Sequence, residues 1–140
     1  MIRRIVLWAL ALAYAADGIL HLVYPAAFAT IVPPIVPSPI EAVQVTGVAA
    51  LMGGIGLLVP RTRRAAGVGL ALYALGVWPA NVWHMLSGAP DIPGLANDLW
   101  YHLPRQALQP VLIWAALWAS GAIDWPFTRR PSAPPDADRR

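Results

Sequence analysis

From Ile5 to Tyr24 the chain runs without a lysine or arginine, and only Asp17 and His21 break the apolar pattern. A helix rises about 1.5 Å per residue, so roughly 20 such residues reach the ~30 Å of a bilayer's hydrocarbon core. Three more blocks follow, from Glu41 to Val59, from Ala65 to Leu86 and from Pro104 to about Ile123. Pro25 and Pro60 close the first two, and Pro104 suits the first position of a helix. The spacing predicts an all-α fold: a four-helix transmembrane bundle with helices over about 5–24, 41–59, 65–86 and 104–123. One domain covers 1–128. The remainder, 129–140, holds proline, serine, alanine and charge, and reads as a disordered tail.

Composition agrees. Hydrophobic residues make up 58% of the chain and charged ones 12%, against about 45–50% and about 25% in soluble domains. The absence of cysteine excludes disulfides and thiolate ligands. All ten basic residues are arginines, in short clusters between apolar blocks, which does not describe a nucleic-acid-binding surface. The start of the chain also mimics a signal peptide, with Arg3 and Arg4 ahead of an apolar run and Ala13-Tyr14-Ala15 as a cleavage-like site. The run continues to Tyr24, which argues for a retained span; cleavage would leave three spans.

With four spans, Arg3, Arg4, Arg61, Arg63, Arg64, Arg129, Arg130, Arg139 and Arg140 share one side, and Arg105 falls on the other. The positive-inside rule then predicts both termini in the cytoplasm. Glu41, Asp91 and Asp98 fall outside. The small residues Gly47, Gly53, Gly54, Gly56, Gly67, Gly69 and Gly76 are expected to let helices pack closely. The proline-rich connection from Pro25 to Pro39 is expected against the membrane surface or folded back over the bundle mouth.

Polar residues converge on the outer half. Asp17 and His21 are four apart and share a helix face. Glu41 and Gln44 open the second helix, Asn81 and His84 close the third, and Arg105, Gln106 and Gln109 open the fourth. Pro79 frees the carbonyl of Leu75 and Pro110 that of Gln106, and freed carbonyls at membrane depth need partners or a cavity. Asp17, His21, Glu41, Asn81, His84, His102, Arg105 and Gln106 are therefore the candidate ligand-binding set. Each has a plainer reading. Asp17 and His21 suit a pair that locks helices, Asn81 an interhelical hydrogen-bond donor, and Glu41 with Arg105 an interfacial ion pair. His84 and His102 suit surface positions, and Trp100, Tyr101 and His102 an interfacial belt. His21, His84 and His102 with a carboxylate are also a metal donor set, although they lack local ligand spacing.

The ordered pieces Gly18-Ile19-Leu20-His21, Pro25 with Phe28, Ile31-Val32-Pro33-Pro34, Thr46-Gly47-Val48, Gly53 to Arg64, Pro79-Ala80-Asn81 and Leu103-Pro104 with Gln106 resemble the DoxX-like family of small bacterial membrane proteins. The resemblance covers the chain to about Trp118 and implies four transmembrane helices. It also implies either a subunit linked to quinone-dependent oxidoreductases or an accessory and maturation role. The chain departs from that pattern at Ala50, where relatives often have Glu, at His102, where they often have Arg, at Arg105, where they are apolar, and at His84. The first functional expectation is a redox-linked subunit that holds a quinone through His21, Asn81, His84 and Gln106, with Asp17 tuning His21. The second is a non-catalytic protein docking a periplasmic partner, and the third a His-ligated metalloenzyme. An oxidoreductase is the expected partner of the first.

Overall fold

The computed structural model describes residues 1–87 and 99–126. Within them the chain is all-helical, with α1 at Ile2–Val23, α2 at Pro25–Ala29, α3 at Pro39–Leu58, α4 at Arg63–Ser87 and α5 at Leu99–Ser120. Among the described residues α1, α3 and α4 are long and apolar enough to cross a membrane, which points to a membrane protein. α1 packs on α3 and α5, and α4 packs on the same two, whereas α1 and α4 meet through side chains. The short α2 rests on α1 and α3.

The α1–α3 crossing is backbone against backbone. A Cβ built on Gly18 would lie 2.6 Å from the Gly47 carbonyl oxygen, and one on Gly54 would lie 2.8 Å from that of Ala11. Dispersion between closely fitted helices grows with the number of atoms in contact, which small residues maximise. Gly67 serves α4 in the same way against Ser120 and Ala116 of α5. Gly69 and Gly76 depart from the sequence expectation: a side chain at either would meet nothing within 4 Å. The core on which these helices close holds Leu7, Leu10, Tyr14, Ala50, Leu57, Leu70, Ala116 and Trp118.

Polarity is arranged inside out. Every exposed side chain described on α5 is apolar, from Trp100 and Leu103 to Leu108 and Val111, whereas His102 and Gln109 are buried. α1 shows the same outer face, with Ile5, Trp8, Leu12 and Ile19. α5 is not among the three span candidates because Arg105, Gln106, Gln109 and two prolines dilute its apolar content.

The last helix departs most from the sequence reading, at both of its ends. The last helix begins at Leu99, so Pro104 lies inside it with Pro110. Pro104 removes only the bond to the Trp100 carbonyl, a small loss this close to a helix start. The helix stops at Ser120 because Gly121 adopts φ 85°, and the N–H groups of Gly121 and Ala122 turn back to the carbonyls of Trp118 and Leu117. The early start carries His102 into the helix interior at 2% exposure, away from the surface position expected of it, while Trp100 stays exposed. Residues 88–98, which include Asp91 and Asp98, and the tail 129–140 lie outside the described residues.

Candidate functional site

A cavity of about 490 Å³ lies between α1, α3, α4 and α5, at the end where α1 finishes and α5 begins. The connection between α1 and α3 forms part of its wall through Phe28, Ile31, Val32, Pro33 and Val36. Of the two placements expected for this proline-rich stretch, it adopts the one folded back over the helices. Phe28 seats it by stacking on His21, with ring centroids 4.1 Å apart.

The polar lining comes from all four long helices. α1 contributes Tyr14, Asp17 and His21, which share a face at spacings of three and four. α3 gives Thr46, α4 gives Tyr73 and Asn81, and α5 gives Arg105 and Gln109. Tyr73 donates its phenolic proton to Asp17 Oδ2 at 2.9 Å. The imidazole of His21 donates from Nδ1 to the Asp17 backbone oxygen at 2.8 Å and stands 3.4 Å from carboxylate Oδ1. Asp17 still keeps 40% of its side chain accessible. It is therefore held on one side and open on the other.

The Tyr14 hydroxyl is buried with no hydrogen-bond partner among the described residues, so Tyr14 borders the cavity with its ring, while the side-chain amides of Asn81 and Gln109 line it. Tyr14 is 6% exposed, Asn81 8% and Gln109 5%. Buried polar groups are partnered in the great majority of cases, by protein or by what occupies the space in front of them. The interhelical hydrogen bond expected of Asn81 does not form here. Thr46, by contrast, returns its hydroxyl to the Val43 carbonyl at 2.8 Å.

The remaining expected site residues stand behind this lining or away from it. His84 accepts a 2.9 Å hydrogen bond at Nδ1 from Arg105 and packs edge-to-face on His102, with centroids 4.9 Å apart. Arg105 also lies over the Tyr101 ring at 5.8 Å. Gln106 accepts from the Trp78 indole at 3.0 Å. His84, His102 and Gln106 thus do not line the cavity, and their visible work is to fix Arg105 and Trp78. Glu41 is exposed in the first turn of α3 and does not bond Arg105. His21 belongs to the cavity while His84 and His102 form a separate pair, and among the described residues no three His or acidic groups gather as a metal site. Ala50 is fully buried in the helix core.

Tyr14, Tyr73, Thr46 and Gln109 were not in the expected set. Tyr14 had a usable signal, lying three residues before Asp17 on the face of Asp17 and His21. Tyr73 offered only a phenol in the middle of an apolar helix, a placement that packing alone also explains.

The family model for a domain of unknown function (DUF8561) matches residues 10–120. The chain belongs to this family. No curated protein and no solved structure matches it. The DUF8561 match contains every residue of the cavity and leaves out Arg3, Arg4 and Asp124 at the opposite end.

Proposed function

We propose that this DUF8561 protein is a four-helix membrane protein that binds a small lipid-soluble ligand with polar groups on opposite edges, a quinone being the class that fits best. It acts as a redox-linked membrane subunit, as in the DoxX-like proteins it resembles. The supporting observation is that the side-chain amides of Asn81 from α4 and Gln109 from α5 share one mostly apolar cavity with Asp17 and His21 from α1. Such a set hydrogen-bonds a flat ring at its two carbonyl edges while apolar walls take the ring faces. Asp17, held by Tyr73 and close to His21, stands ready to exchange a proton with a ligand that gains or loses one on reduction. Electrons come from a partner oxidoreductase.

In this reading α5 is the fourth span. Its polar side faces the other helices and its exposed side is wholly apolar, the arrangement lipid requires. Arg3, Arg4, Arg61, Arg63 and Arg64 belong to the end opposite the cavity, which supports a reading with that end in the cytoplasm of a bacterial cell and the cavity toward the outside.

Lipid extraction of the detergent-purified chain tests the assignment. A quinone near one per chain, lost in Asn81→Ala and Gln109→Ala at unchanged melting temperature, is the expected result. A second reading, a non-catalytic accessory protein docking a periplasmic partner, draws on Tyr73–Asp17, Trp78–Gln106 and Arg105–His84, each of which ties one helix to another. It predicts no bound quinone, and lowered stability as the main effect of changing those pairs.

A further inference from the structure

The opposite end of the helices carries a second cavity, of about 430 Å³, walled by Arg3, Arg4, Arg63, Arg64, Ser120 and Asp124 among others. We propose that it holds the phosphodiester headgroup of one anionic phospholipid. This rests on the membrane-spanning reading above and not on the quinone assignment.

Two of the four arginines are built into the wall. Arg3 donates to Asp124 Oδ1 at 3.1 Å and to the Ile123 carbonyl at 3.5 Å, and lies over the Trp118 ring at 5.7 Å. Arg63 folds back on the end of α3, donating from Nε to the Leu57 carbonyl at 2.9 Å and from a terminal nitrogen to that of Leu58 at 3.4 Å. Arg4 and Arg64, the neighbours of these two, are exposed, and their side chains make no hydrogen bond or ion pair among the described residues. Four cations therefore line a concave space to which, among the described residues, one carboxylate belongs, and Arg3 already engages it.

Topogenic arginines alone need only face water; they need not line a shared concave surface. Arg61 supplies the contrast, because it belongs to the same end but not to the cavity wall. Guanidinium groups match phosphate oxygens with paired, charge-assisted hydrogen bonds. A cavity at a helix end places such a phosphate at headgroup depth while its acyl chains run down the apolar outer face. Inorganic phosphate offers the same oxygens without the chains, so the two sources can be separated.

Native mass spectrometry of the full chain, delipidated in detergent and then supplied with phosphatidylglycerol, phosphatidylcholine or inorganic phosphate, decides the matter. One phosphatidylglycerol per chain is expected to survive, with phosphatidylcholine and phosphate retained much less. The double variant Arg4→Gln/Arg64→Gln is expected to weaken that retention by about fivefold per arginine, roughly twenty-five-fold together, with melting temperature and quinone content unchanged. Arg61→Gln is expected to leave it unaltered. Equal loss with Arg61→Gln, equal retention of phosphatidylcholine, or full occupancy by phosphate alone overturns the proposal. Extraction of membranes with alkaline carbonate tests the underlying reading separately. A chain released from the pellet removes both, whereas an integral chain without phosphatidylglycerol preference removes the lipid site alone.

Discussion

Tyr73 on α4 and Asp17 on α1 are joined by a 2.9 Å hydrogen bond, although the backbones of their two helices do not pack closely. The bond crosses the space that α3 and α5 leave between them, and Tyr14 meets the Tyr73 ring edge-on at 5.8 Å beside it. A carboxylate within an apolar protein is costly unless hydrogen-bonded, so this phenol both stabilises Asp17 and fixes the floor of the cavity. Tyr73→Phe keeps the ring and deletes only the donor. It is expected to cost about 1–3 kcal/mol, read as a lowered unfolding midpoint in detergent. Asp17→Asn keeps an oxygen to accept the phenol and removes the charge, so it is expected to cost less. The opposite order would show that the charge of Asp17, and not its bond to Tyr73, holds the diagonal.

The glycines separate into two groups with opposite expectations. Ala at Gly18 or Gly54 forces its methyl onto backbone atoms of the facing helix, which cannot move aside as a side chain can. Overpacking of this kind is expected to cost about 1–3 kcal/mol or to splay α1 from α3. Gly69→Ala meets open space and is expected to be neutral or to stabilise α4 by about 0.5–1 kcal/mol. Gly76→Ala meets open space too, but Gly76 lines the cavity. It is expected to preserve stability while reducing ligand retention. Thermal melts of the four variants, with quinone content measured on the last, check all of these outcomes.

Gly69 and Gly76 also show where the sequence stops informing. Apolar length and proline punctuation located all four long helices, because hydrophobic run length is a local property. Which glycines face a neighbour depends on helix rotation, and in a helix apolar on nearly every side no polar stripe records that rotation. The depth of the site was legible for a similar reason: Asp17, His21, Asn81 and Arg105 are costly at such depths, and all four line the cavity. His84, His102 and Gln106 lie at the right height but behind the lining, a distinction of one helix face that composition does not carry. The burial of His102 was hidden by the reading of Pro104 as a helix start, which left Tyr101 and His102 in a loop. Tyr14 and Tyr73 carried no signal of their own, since a phenol differs from a phenyl ring only when something accepts its proton.

Arg105 and His84 provide the means to separate a placed cation from a merely buried one. The guanidinium donates to His84 Nδ1 at 2.9 Å, which requires that nitrogen to be unprotonated, and it lines the cavity that His84 itself does not reach. If His84 acts by holding Arg105, their effects must be coupled. Arg105→Gln and His84→Leu are each expected to lower stability, and the double variant to lower it by less than the two together, with a coupling of about 0.5–3 kcal/mol. Ligand retention should follow the same pattern. Arg105→Gln reduces it, His84→Leu reduces it to a similar extent by letting Arg105 move, and the double variant is hardly worse than either. Arg105→Lys is expected to restore little, because an ammonium keeps the charge without the planar fork that spans His84 and the face of Tyr101. Additive losses in the double variant would mean that His84 supports the helices on its own account, and that the cavity positions Arg105 without it.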